Sequence, residues 1–228
     1  MLPKEIQDFY SPWIGAQNRI WQSVLYLGQK RCYNKGSVIL AIGQPIDHLY
    51  YLHTGQVKYF TISSEGNEKI MWYLDKGNVF GAAPFFDKRP VANAITAIEK
   101  CEVYCFPRSY FNDEIVPKYP ELVTNLIQSM AYKTRLAVNR GGDAACLLSR
   151  VSKILFYVAQ RQSNNQAIGK VVCSKGISQQ ELAFILGVHR VTLNNAIAQL
   201  KREGIIGHIG KRNLVINSVE RLLKYAQD

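Results

Sequence analysis

The sequence predicts an α+β chain in three stretches: a strand-dense N-terminal part, one long helix, and a helical C-terminal part that ends in a hairpin. Three observations predict it. Short runs rich in Val, Ile, Tyr and Phe recur between residues 31 and 107, punctuated by glycine. Residues 121–140 contain neither Gly nor Pro. Two helical patterns flank Gly187, and two short β-like runs flank Gly210. A chain of 228 residues holds one large domain or two modest ones, at about 100–200 residues each.

The strand runs are Ser37–Leu40, Leu49–His53, Val57–Ile62, Lys69–Leu74, Ala92–Ala97 and Glu102–Phe106. Their spacing, about 8–12 residues with turn signals between, favours a sandwich, jelly roll or barrel. The first 30 residues read as a helical or irregular lead-in, with Trp13 and Trp21 as packing anchors. Pro117 and Pro120 close this region, giving a first domain over 1–117. A helix of about 30 Å follows, at 1.5 Å per residue. Its residues Leu122, Val123, Leu126, Ile127, Met130, Thr134, Ala137 and Val138 keep 3–4 spacing. That narrow stripe suits the seam of a dimer, so 118–141 is assigned as a dimerisation helix. Gly141–Gly142 ends it and offers a hinge before the last domain, 142–228.

Composition narrows the function. With 47% hydrophobic and 20% charged residues, the chain is globular and not disordered. No run approaches the roughly 18 apolar residues of a membrane span, and MLPKEIQDFYSPW carries no signal-peptide core. A cytoplasmic protein with no membrane partner is expected. The 28 Lys and Arg residues against 17 Asp and Glu give a net charge of +11. Residues 143–228 hold 12 basic and 5 acidic side chains, so the smaller part is the more basic, as a polyanion site requires. The five cysteines form no CxxC pair and read as reduced thiols. Cys101 and Cys105, four apart on one strand face, leave a redox role open. The four histidines do not cluster in sequence, which argues against a metal, a cofactor and a cupin-type enzyme.

Residues 177–206, ISQQELAFILGVHRVTLNNAIAQLKREGII, carry the chemistry. Ser178 and Glu181 form an S-x-x-E capping box that starts a helix. Leu182, Ala183, Ile185 and Leu186 supply its buried face, and Gly187 permits a tight turn. The second helix buries Leu193, Ala196, Ile197 and Leu200. Arg190, Val191, Asn194 and Asn195 are left together on the opposite side. Paired amides, an arginine and a valine suit base edges in a major groove: Asn194 or Asn195 to adenine, Arg190 to guanine or phosphate, Val191 to a thymine methyl. Ser178, Gln179, Gln180, His189 and Thr192 lie near helix starts, where phosphates meet backbone amides. Ile205–Ile206 and Leu214–Ile216 read as a hairpin whose tip, with Lys211 and Arg212, contacts phosphate.

The strand–glycine series KGSVIL, LYYLHTGQVKYF and GNEKIMWYLDKGNVFG, followed by QQELAFILGVHRVTLNNAIAQLKREGII, resembles the cAMP receptor protein/FNR family of bacterial transcription regulators. The likeness covers roughly residues 30–220. It implies an N-terminal jelly-roll β-barrel of the cyclic-nucleotide-binding type, a long dimer helix and a C-terminal winged helix-turn-helix. It further implies a homodimer on double-stranded DNA, a small-molecule effector, contact with RNA polymerase, and activation of transcription. Two features depart from cyclic-AMP-binding members. Ala82 stands where they carry a glutamate, and Val91 falls near the phosphate arginine, with Arg89 out of register; a cyclic-nucleotide-responsive regulator is the alternative these changes disfavour. No cysteine precedes Cys32, so an FNR-type cluster is not expected. His48 and His53, five apart, face opposite sides of a strand and do not suit haem.

Around GNEKIMWYLDKGN and GVHRVTL the sequence is similar to the regulators of reductive dehalogenation within this family. That likeness implies an aromatic anion, such as a halogenated phenol, as effector. Trp72, Tyr73 and Gly81 would wall its pocket, Met130 would face it from the long helix, and Lys133 would pair with the anion. Many family members also read a G·C pair with a glutamate and an arginine at the positions of Val191 and Asn195. Their absence predicts an A·T-rich palindrome with half-sites about one helical turn apart.

Overall fold

The computed structural model describes residues 12–62, 66, 68–141, 147–162 and 167–227, so Gly142, the second half of the expected hinge, lies outside the described residues. Two compact units result, residues 13–138 and residues 139–228.

In the first unit the strands divide between two sheets. The strands are β1 (Trp13–Ile14), β2 (Gln29–Tyr33), β3 (Val38–Leu40), β4 (His48–Thr54), β5 (Gln56–Ile62), β6 (Glu68–Asp75), β7 (Asn78–Phe80), β8 (Ala94–Ala97) and β9 (Cys101–Pro107). One sheet runs β1-β6-β5-β8-β3 and the other β2-β9-β4-β7. A 3₁₀ segment, Arg19–Leu27, precedes β2. The helix α1 (Ala82–Asp87) follows β7, residues 108–118 make consecutive short α- and π-helical turns, and α2 spans Pro120–Gly141.

The buried run Leu49–Leu52 explains why β4 shows no polar alternation: both of its faces are covered. Leu49 and Tyr51 join Trp21, Val79, Phe106 and Leu122 in the main core, which fills the space between the second sheet and the helical segments. The Trp21 indole meets Phe106 edge-on at 5.5 Å. Tyr50, on the other face, stacks on Phe80 at 5.3 Å.

Two expectations change. First, β2 was not expected as a strand. Its sequence QKRCY has four exposed residues and no apolar alternation, and it is held by pairing with β9 at five consecutive positions. Second, the stripe on α2 is not one seam. Leu122 and Leu126 are buried in the unit's own core, with Val123 and Met130 packed against it. Ile127 stays 62% exposed, with Thr124, Ala131 and Thr134 exposed on the same side. A repeat near 3.6 residues carries the inward row, buried at 122 and 126 and half-buried at 130 and 133, to one side, and leaves 124, 127, 131 and 134 as a second row at heptad spacing.

The second unit contains α3 (Leu147–Gln162), β10 (Val171–Cys173), α4 (Gln179–Leu186), α5 (Arg190–Arg202), β11 (Ile206–Ile209), β12 (Leu214–Ile216) and α6 (Val219–Gln227). Its sheet runs β10-β12-β11, all antiparallel. Helix α3 turns Leu148, Val151, Leu155 and Ala159 inward. Leu182, Leu193, Leu200, Leu214 and Leu222, from the other elements of the unit, are buried as well.

Candidate nucleic-acid interface and ligand cavity

Helix α4 begins as its capping residue dictates. Ser178 is extended, and its hydroxyl accepts the Glu181 N–H at 3.1 Å. The helix ends at Gly187, whose φ of 64° is a left-handed conformation that a side chain disfavours. The Val188 N–H reaches back to the Ala183 carbonyl at 3.1 Å, closing a Schellman turn. Arg150 donates to the Leu186 carbonyl at 2.6 Å, so α3 also holds this helix end. The turn therefore fixes where α5 starts.

Helix α5 buries Leu193, Ala196, Ile197 and Leu200. Arg190, Val191, Thr192, Asn194 and Asn195 all lie on the exposed side. Val191 is 73% exposed, a position where burial gives a β-branched apolar side chain no reason to be. His189 occupies the N-cap in extended conformation and is exposed, as is Gln180; Ser178 and Gln179 are half-buried. In the wing, β11 and β12 close a turn through the Gly210 N–H to the Asn213 carbonyl at 3.0 Å. Lys211, Arg212 and Asn213 stand exposed at its tip. Behind them, the Gly176 N–H donates to the Lys211 carbonyl at 3.1 Å. A Cβ at Gly176 would come within 2.0 Å of the Gly210 carbonyl oxygen, so only glycine fits. The strand β10, missed in the sequence because VVC is so short, adds a third strand behind the wing.

In the first unit, β5, β6, β7, α1 and α2 enclose a cavity of about 270 Å³. Of the residues singled out from the sequence, Trp72, Gly81, Met130 and Lys133 line it. Tyr73 does not. Successive side chains alternate across β6, and the Tyr73 ring stacks on Trp13 at 5.9 Å instead. The place beside Trp72 belongs to Tyr59, stacked on it at 5.0 Å with 21° between the planes. Tyr59 and Trp72 are cross-strand partners in the β5–β6 register. A one-residue register shift between Tyr59 and Phe60 sets Tyr59 against Trp72, so counting along the hairpin alone would have paired it with Met71. Leu74 and Phe80 complete the apolar walls.

Lys133 is the charged residue of the lining. Its ammonium donates to the Val79 carbonyl at 2.7 Å, and burial lowers its pKa to about 8. Burial also raises the Tyr59 phenol, which accepts from Asn93 at 3.4 Å. Gly81 has a φ of 79°, and a Cβ there would lie 3.0 Å from the Tyr50 ring. A second cavity of about 240 Å³ shares Tyr59 and Gly81 with the first and has Arg89 and Asn93 in its lining. Val91 there is buried and offers no charge. Cys101, Cys105 and Cys173 are buried, and burial pushes each thiol up, to about 11 for Cys105; Cys32 is exposed. Among the described residues no group of three His, Cys, Asp or Glu could hold a metal, and no helix is long and apolar enough to cross a membrane.

Comparison with known proteins places both units. The cyclic nucleotide-binding domain family matches residues 30–116, and the Crp-like helix-turn-helix domain family matches residues 149–225. The CRP-like cAMP-activated global transcriptional regulator of Mycobacterium tuberculosis is 28% identical over 195 residues, covering 85% of this chain and 86% of the relative. The cAMP-activated global transcriptional regulator CRP of Salmonella typhimurium is 25% identical over 187 residues, covering 80% and 87%. Among solved structures, CprK complexed with OCPA matches with a TM-score of 0.75 at 19% identity, over 94% of this chain and 97% of that one. A CooA mutant from Carboxydothermus hydrogenoformans matches with a TM-score of 0.75 at 17% identity, over 93% and 100%. These relatives regulate transcription and are not enzymes. With both domains matched in this order, the chain belongs to the CRP/FNR family of effector-controlled transcription regulators.

Proposed function

We propose that the chain acts as a homodimeric activator on an A·T-rich palindrome, contacts RNA polymerase, and is switched by a small aromatic anion bound beside Lys133. The observation that carries the effector reading is the single ammonium facing a cavity whose walls, Thr134 apart, are aromatic and aliphatic. Such a site favours a flat apolar body with one negative oxygen. A halogenated phenol ionises near neutrality, and the ammonium favours its phenolate. The solved CprK complexes carry OCPA and o-chlorophenolacetic acid, which supports the same chemistry here. On the DNA side, Arg190, Val191, Asn194 and Asn195 would meet base edges. Lys211 and Arg212 would meet phosphate, with Ser178, Gln179, Gln180, His189 and Thr192 flanking them.

A cyclic nucleotide is the second reading, favoured by the cAMP-activated relatives and by Arg89 in the lining of the adjoining cavity. Thermal shift of the full chain with 2,4-dichlorophenol and with cyclic AMP separates the two, since only a ligand of the folded state raises the midpoint. A shift with cyclic AMP alone overturns the aromatic reading. DNA binding is tested on duplexes selected from a random pool. Lys211→Ala or Arg212→Ala lowers the slope of log affinity against log salt by about 1 each. An unchanged slope in both variants removes the wing from the interface.

A further inference from the structure

Helix α2 carries three polar residues on the side that packs against its own unit: Asn125, Ser129 and Lys133. They are four residues apart, one turn above another, beside Leu122, Leu126 and Met130. Polar groups on a buried helix face are costly unless bonded, and each of these is bonded. Asn125 accepts from the Asn18 side chain at 2.7 Å and donates to the Gln17 carbonyl at 3.0 Å. The Ser129 hydroxyl, on a residue only 2% exposed, donates to the Asn18 amide oxygen at 3.2 Å. That same oxygen accepts the Val79 N–H at 3.0 Å. The Val79 carbonyl in turn accepts from Lys133. One residue of the cavity strand β7, Val79, is thus tied to the helix twice, through its N–H by way of Asn18 and through its C=O directly.

Only Lys133 of the three lines the cavity; Asn125 and Ser129 continue the row beyond it. The row is a physical link from the cavity to the helix register. Leucines at these positions would hold the helix with less directional preference, whereas hydrogen bonds specify one register.

We propose that Asn125, Ser129 and Lys133 form a latch that holds α2 in register on Asn18 and Val79, and that an anion entering the cavity opens it by drawing the Lys133 ammonium off the Val79 carbonyl. This rests on the reading of Lys133 as the anion partner. The driving force is the contrast in acceptors. The Val79 carbonyl is a neutral acceptor, whereas an anion adds full Coulombic attraction to the ammonium inside a low-dielectric cavity, and a single ammonium on one flexible stem follows the stronger acceptor. Loss of that bond leaves the helix held only through Asn125 and Ser129, on the Asn18 side of the row. A ligand with different affinity for the two registers then shifts their populations.

The test measures affinity of the full chain for a pool-selected duplex, with no small molecule added, by fluorescence anisotropy. Lys133→Met removes the Val79 arm of the latch and Ser129→Ala weakens the Asn18 arm. Ser129→Ala is expected to change affinity by about 5-fold, the weight of one net neutral hydrogen bond of about 1 kcal/mol, and Lys133→Met, which loses a charged donor, by at least about 5-fold in the same direction. Lys133→Arg, which keeps donor and charge, stays within about 2-fold of wild type, a rescue that mere loss of packing would not give. Tryptophan-fluorescence melting verifies that each variant is folded. Affinity unchanged in Lys133→Met, or opposite shifts in the two variants, overturns the latch. The occupant fails separately. If 2,4-dichlorophenol leaves the wild-type midpoint unmoved while Lys133→Met still shifts DNA affinity, the aromatic reading falls and the latch stands.

Discussion

Replacing Lys133 by methionine should stabilise the first unit at neutral pH, although it deletes a hydrogen bond. The ammonium's pKa falls from its ordinary 10.5 to about 8 because of burial. At 1.36 kcal/mol per unit, that drop represents about 3 kcal/mol of unfavourable charge burial. The bond to Val79, made by a charged donor, offsets about 2 kcal/mol of it, so the variant gains about 1 kcal/mol at pH 7. The gain depends on pH with a defined sign. Below about 8 the lysine is charged in both folded and unfolded states, and the full penalty applies. Between about 8 and 10.5 the unfolded chain holds more protons than the folded one, so wild-type stability rises with pH. The variant lacks that rise, and its advantage vanishes by about pH 9. Tyr59, the other titratable group of the cavity, is raised by burial and stays neutral across most of this window. Urea unfolding at pH 7, 8.5 and 10 measures the gap. Trp13, Trp21 and Trp72 are the three tryptophans, all in residues 13–138, so indole emission follows this unit alone. A variant less stable than wild type by 1 kcal/mol or more, with a gap that ignores pH, would refute the reasoning.

Asn195→Ala should lose about 1–3 kcal/mol on a selected duplex and nothing on an unrelated one, as competition binding would show; equal loss on both would make it a phosphate contact. Ile127→Glu puts a charge in the exposed heptad row of α2 and should halve the sedimenting mass while leaving the melt of residues 13–138 unchanged; a dimer that survives would move the seam elsewhere. Ser178→Ala removes the acceptor for the Glu181 N–H and should destabilise the second unit by about 1 kcal/mol in circular-dichroism melts, with no measurable change indicating that water replaces the cap.

Much of this was legible where a local rule dictates geometry. The Ser178 cap, the left-handed Gly187 and the 3–4 spacing of Leu193, Ala196, Ile197 and Leu200 specify the helix pair without reference to the rest of the fold. The six strand runs were legible for the same reason, since each carries its own apolar residues. What stayed hidden depends on distant partners. Strand β2 exists because β9 pairs with it, not because QKRCY favours extension. The division of the α2 stripe follows from a sheet packing on one side, which periodicity alone cannot reveal. Tyr73 and Tyr59 exchange places for a single-residue reason: alternation on β6 sends neighbouring aromatics to opposite faces. Asn18 carried no signal at all, being one polar residue in an irregular lead-in, yet it is fully buried and joins the helix to the cavity wall.

The crowding around Gly176 bears on how the basic loop at residues 210–213 can evolve. Its root is clamped main chain to main chain, with no gap at Gly176 for even a methyl group. The reach of that loop is therefore set by peptide geometry, while the identities of Lys211 and Arg212 remain free to drift. Lengthening the loop by one residue would dislodge the clamp, but exchanging its charges would not. Variation here should appear as changes of side chain at constant length, giving a ruler of fixed span with an adjustable tip.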